Sequence, residues 1–187
     1  MKKLVLMLIV AVTVCGCENS NRKWSEEQKR EARQMLELYR DLVYLQDLTE
    51  AEYLLFADDV VDTLEAEFPN YVAFVAMPAV NDTVETYVVA TIVDEIQADR
   101  RNMRHVFPYH HLVRINVLPS DMPREKIHEY YDCLAQHVNG YFGSYQAFVY
   151  GAMNSMLDDM VIADFLQKCS TPYWPEETNS TAATTKK

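Results

Sequence analysis

Residues 49–68 read TEAEYLLFADDVVDTLEAEF. Thr49 is followed three residues later by Glu52, the pattern in which a hydroxyl accepts a first-turn amide while a carboxylate reaches back to the cap amide. Behind it Leu54, Ala57, Val61, Leu64 and Phe68 recur at spacings of three and four. That is the period of a helix with one apolar stripe. Asp58, Asp59, Asp62 and Glu65 fall largely off the stripe, and Pro69 cannot extend the helix. The stretch predicts an amphipathic helix.

The same pattern recurs in both directions. Ser25-Glu26-Glu27-Gln28 is another capping box, followed by Met35, Leu38, Tyr39, Leu42 and Leu45. Glu26 and Arg30 can pair one turn apart on its outer face. Downstream, Asp82-Thr83-Val84-Glu85 reads as a third cap ahead of Val84, Val88, Ile92 and Ile96. The β-branched run TYVVATIV (86–93) favours a strand, but the one-turn stripe favours a helix. Tyr71 to Ala79 fits a short buried helix or a strand. Pro108 and Pro119 bracket residues 109–118, a short strand or a packed loop. Ser120 or Asp121 then caps a helix carrying Ile127, Tyr130, Tyr131, Leu134 and Val138, which Asn139-Gly140 stops. Ser144 opens the last helix, with Phe148, Ala152, Met156, Met160 and Ala163 along one side. The expectation is an all-α fold: a single bundle of about five helices, with at most one short strand or irregular segment.

The N-terminus has a different character. Met1-Lys2-Lys3 is positive, and Leu4 to Val14 is an apolar run interrupted only by Thr13. Eleven residues of helix span about 16 Å, roughly half a bilayer core, which suits the apolar region of a secretion signal. Val14-Cys15-Gly16-Cys17 follows. This segment resembles the lipobox of bacterial lipoproteins, and the resemblance covers residues 1–17 only. It implies cleavage after Gly16, lipidation of Cys17 and stable anchoring by several acyl chains. Glu18, where an Asp would mark retention at the inner membrane, favours the outer membrane. The expected organisation is a signal peptide at 1–16, a lipidated polar tether at 17–23, a helical domain at 24–169 and a disordered Thr-, Ser- and Pro-rich tail at 170–187.

Charge is segregated. The chain carries a formal net charge of −11. From Asp41 to Asp99 there are fourteen Asp or Glu and no Lys or Arg. From Arg100 to Lys126 the balance reverses, with Arg100, Arg101, Arg104 and Arg114 among six bases. Such a block is either a solvated surface or one that steers a cationic protein toward itself. Nucleic acid is disfavoured as a partner, because phosphate needs the opposite sign. On this reading Asp58, Asp59, Asp62 and Glu65 are candidate partner-binding residues, joined by Arg100, Arg101 and Arg104. The arginines also suit the end of a helix, where they complement its dipole.

Once Cys15 leaves with the signal and Cys17 carries lipid, Cys133 and Cys169 remain as a pair in an oxidising compartment, and a disulfide is expected. Motifs for catalysis are missing. No Gly-x-Ser-x-Gly occurs, and four glycines form no phosphate-binding loop. Glu125-Lys126-Ile127-His128 has the spacing of one half of a di-iron site, but no second Glu-x-x-His exists. His105, His110 and His111 form a candidate metal or hydrolytic cluster, interrupted by Pro108. Cys133 and His137, four apart, fit shared ligation, which competes with the disulfide. No cofactor is expected. The leading expectation is a non-enzymatic, lipid-anchored envelope protein that binds a basic partner, for example an inhibitor of a cationic toxin or hydrolase. The alternatives are an accessory subunit of an outer-membrane complex, or a metal-binding or hydrolytic protein using the histidines.

Overall fold

The computed structural model describes residues 23–174. The expected signal peptide, the expected lipidation site Cys17 and most of the expected tether and tail lie outside them. The all-α expectation is borne out: among the described residues there are helices and turns but no strand. The α-helices are α1 (Glu26–Leu36), α2 (Val43–Gln46), α3 (Glu50–Glu67), α4 (Tyr71–Val75), α5 (Val80–Ala98), α6 (Tyr109–Arg114), α7 (Arg124–Phe142), α8 (Tyr145–Met153) and α9 (Asp159–Ser170). Short 3-10 turns lie at Glu37–Tyr39, Arg100–His105 and Thr171–Tyr173. No helix among the described residues is long and apolar enough to cross a membrane.

The described residues group into two compact units: 23–38 with 54–88, and 39–53 with 89–174. In the first unit, both halves of the Ser25 box form. Ser25 Oγ accepts from the Gln28 amide at 3.2 Å, and Gln28 Oε1 accepts from the Ser25 amide at 2.8 Å. α1 ends at Leu36, earlier than its apolar residues suggest, and buries Ala32 and Leu36 while Leu38 is exposed. α3 buries Ala57, Val61 and Leu64 as its spacing predicts, together with Phe56 and Val60. Leu54, assigned to the same stripe, is exposed. Trp24 closes this core. Its ring centroid lies 4.9 Å from Tyr71, edge-on, and 5.2 Å from Phe74. Its indole N–H donates to the Phe68 carbonyl at 2.8 Å, one of the carbonyls that the end of α3 leaves without a helical partner.

α4 shows that Tyr71–Val75 is helix, capped by the Asn70 side chain. α5 begins at Val80, so Asp82 sits inside its first turn and does not cap it; the Thr86 hydroxyl bonds the Asp82 carbonyl instead. Val84, Val88, Ile92 and Ile96 are all buried, so the one-turn stripe outweighs the β-branched composition.

In the second unit, Thr49 and Glu52 form their capping box. The Pro-bracketed segment is largely the helix α6. Pro108 supplies its N-terminus, and the Tyr109 hydroxyl donates to the Pro119 carbonyl. Pro123, not Ser120 or Asp121, precedes α7, and no side chain caps that helix. α7 runs through Asn139-Gly140 to Phe142 and stops at Gly143, whose φ of +75° is the left-handed conformation that glycine adopts at no steric cost. The single last helix expected from Ser144 is two helices. They part at residues 154–158, where Ser155 has φ +53° and Met156 is exposed; Met160, on α9, is exposed as well. Ser170 is buried at the end of α9, and Trp174 donates its indole N–H to the Val117 carbonyl, so ordered structure continues past Cys169. Cys133 on α7 and Cys169 on α9 are disulfide-bonded, with Cα atoms 5.8 Å apart.

Candidate functional site

The acidic residues of α3 in the first unit divide into two sets. α1 carries Lys29 and Arg33 one turn apart, hence on one face. Lys29 Nζ lies 2.7 Å from Asp62 Oδ1 and 2.7 Å from Glu65 Oε2. Arg33 Nε lies 2.5 Å from Asp58 Oδ1. Glu65 also accepts the Trp24 main-chain N–H at 2.7 Å. Hydrogen bonds from Lys29 to Asp62 and then to Glu65 push the lysine's pKa well above its ordinary value. Three of the four predicted acidic contact residues are therefore partnered by bases of the same chain.

Asp59 is the fourth, and it stays exposed. Leu55, Asp59, Thr63 and Glu67 follow one another at one-turn spacing, and all four are exposed. Neither Asp59 nor Glu67 has an ion-pair partner among the described residues. The structure thus separates an inward acidic row on α3, satisfied by α1, from an outward stripe with one apolar and two anionic positions. The same unit exposes Val72 and Val75, three apart on α4.

The predicted arginines lie in the second unit, in the 3-10 turn after α5. Arg101 pairs with Asp99, whose side chain also caps the turn; the Arg101 bond holds the Asp99 carboxyl below its usual range. Arg104 lies 3.7 Å from Glu52, and Arg100 is exposed. The Glu52 carboxyl is held low chiefly by the Thr49 backbone and side-chain bonds of its capping box. This basic segment is therefore mostly matched to carboxylates of its own unit.

The three histidines do not converge. His105 is buried, its Nδ1 2.8 Å from Asp47 Oδ2 and its ring edge-on to Tyr44. Burial lowers its pKa, outweighing the Asp47 bond that raises it. The Tyr44 hydroxyl donates to Glu95 at 2.5 Å, and burial drives that phenol's pKa strongly upward. His110 is exposed, and His111 Nδ1 meets Arg114 at 2.6 Å. Among the described residues the side chains placed to share a metal ion are Cys133, His137 and Cys169, whose ligand atoms lie within 4.8 Å of one another.

Two cavities open in the second unit. One, about 550 Å³, is lined by Ile115, Val117, Leu166 and Trp174 with Asn116 and Gln167. The other, about 230 Å³, lies between Leu42, Tyr44, Ile92 and Phe148, with Asp41 also lining it. Both are mainly apolar, and neither gathers a nucleophile, a base and an oxyanion donor.

No family model, curated protein or solved structure matches the chain. Sequence reading missed Lys29 and Arg33, whose one-turn spacing was a legible signal; Leu55, Thr63 and Glu67, which share the helical spacing of Asp59; and Asp47, Tyr44 and Glu95, whose partners are more than fifty residues away along the chain.

Proposed function

We propose that this chain is a non-enzymatic, lipid-anchored binding protein of the bacterial envelope, and that the outward stripe of α3 receives a basic protein partner. The observation that carries this reading is the exposure of Leu55, Asp59, Thr63 and Glu67 beside acidic residues that the fold has already paired. α1 neutralises the inner row but leaves Asp59 and Glu67 in a segment with fourteen acids and no base. Unpaired charge of one sign steers encounter, while an exposed apolar residue one turn away supplies contact area. An inhibitor of a cationic toxin or wall hydrolase is one concrete form of such a protein. If Cys17 is the anchor, the seven residues 17–23 reach at most about 25 Å, so the partner meets the domain close to a membrane.

Photo-cross-linking from Thr63 in intact cells, followed by mass spectrometry, tests the reading. A basic envelope protein is the expected product. The variant Asp59→Asn with Glu67→Gln is expected to slow its association about tenfold at low ionic strength and to flatten the salt dependence. Capture of an acidic membrane subunit, at a rate indifferent to salt and to both substitutions, would instead support an accessory-subunit role. Intact-mass analysis showing Cys17 without acyl groups would remove the anchor from the reading.

A further inference from the structure

The geometry points to a reduction-dependent metal site at Cys133, His137 and Cys169, fit for a divalent ion of the zinc class. The ligand atoms of the three side chains lie within 4.8 Å of one another. Two come from one helix: Cys133 and His137 are four apart on α7, the spacing that puts two ligands on one helix face. The third comes from α9, a helix of the same unit. Two sulfurs and one imidazole form a set that zinc takes with a fourth position left open for water or an anionic ligand.

The histidine is what raises this above an ordinary disulfide. A disulfide needs no imidazole, yet His137 is held at the sulfurs by stacking on Phe165, with centroids 5.6 Å apart and planes 18° apart. It makes no hydrogen bond to another described residue. A ring fixed by its face, with its nitrogens left to other partners, is arranged as a ligand would be. Phe165 is itself buried, and Cys169 lies one turn beyond it on α9.

In the structure the two sulfurs are bonded to each other, so disulfide and metal are mutually exclusive occupants. A dithiol reductant transfers two electrons and two protons to the disulfide and leaves as its own disulfide, giving two thiols. Binding the ion then releases the two thiol protons and forms two thiolate–metal bonds and one imidazole–metal bond. Re-oxidation by a disulfide of the same class expels the ion and restores the bond.

The test uses the chain with its disulfide intact, and the same chain reduced with a phosphine that is removed under inert gas before the ion is added. Co²⁺ is the probe, followed by its thiolate charge-transfer absorption, with Zn²⁺ displacing it. The reduced protein is expected to bind Co²⁺ stoichiometrically and the oxidised protein not at all. His137→Ala retains both sulfurs and the disulfide, so it separates ligation from folding. It is expected to weaken binding by at least roughly tenfold, since even losing an outer-sphere partner of a metal ligand costs that much. Circular dichroism confirms that reduced wild type and variant are both folded. Equal Co²⁺ affinity in wild type and His137→Ala, or binding that ignores the redox state, would overturn the assignment. So would reduced, folded wild type that leaves Co²⁺ unbound.

Discussion

Removing Trp24 should cost the first unit much of its stability, and the structure sets how much. The side chain is 4% exposed, packed on Tyr71 and Phe74 and bonded through its indole N–H to the Phe68 carbonyl. Truncation to alanine removes the largest ring of this core, a change that costs about 3–5 kcal/mol. Trp24→Phe keeps an aromatic body and loses the indole N–H, worth about 1 kcal/mol, plus a small packing term, for a total of about 1–2 kcal/mol. The bond from the Trp24 main-chain N–H to Glu65 survives in both variants, because it does not depend on the side chain. Urea unfolding followed by far-ultraviolet circular dichroism measures both. Trp174, the other tryptophan of the chain, is 42% exposed, so Trp24→Phe should also shift the folded protein's emission to the red. A loss below about 1 kcal/mol for Trp24→Ala, or equal losses for the two variants, would mean that Trp24 does not close this core.

Cys133 and Cys169 lie 36 residues apart in sequence, so replacing both with serine should destabilise the protein by about 4 kcal/mol in the chain-entropy description. For a chain of this size that is a fall in Tm of roughly 8–16 °C, read by calorimetry; a change of a degree or two would contradict it. His105 gives a pH dependence of definite sign. Burial holds its pKa below the ordinary 6.5, so the unfolded chain takes up that proton first as pH falls. Its contribution is fully present above about pH 6.5 and is lost as pH drops through the lower native value. The stability difference between wild type and His105→Gln, measured by denaturant unfolding from about pH 7.5 to 5, should therefore shrink toward acid; a difference that grows would rule out a neutral buried imidazole.

Much of the fold was legible because it rests on local interactions. The Ser25 and Thr49 boxes, the Ser144 cap and the Val84, Val88, Ile92, Ile96 stripe each depend on residues within a turn or two of one another, and each stands where the pattern placed it. The misread boundaries belong to signals that compete locally. Asn139-Gly140 resembles a stop, yet the helix continues through it to Phe142, and it is Gly143 that takes the positive φ. Asp82 resembles a cap, but the helix had already begun at Val80. The acidic site was only half legible. Composition located Asp58, Asp59, Asp62 and Glu65 without distinguishing Asp59 from the other three.

Sequence alone determined the helical class, because period and capping are written in neighbouring residues, and it pointed to Cys133 and Cys169 as the pair that the structure bonds. Tertiary structure alone decided which carboxylates keep their charge exposed. A carboxylate's role is set by whatever base lies within about 4 Å of it, and Lys29 and Arg33 reach Asp62, Glu65 and Asp58 across 25 to 36 residues of chain. The same holds for His105, buried against an aspartate 58 residues away, and for His137, set beside a disulfide whose second sulfur belongs to another helix. Spacing along a chain specifies faces of helices; only packing specifies what those faces meet.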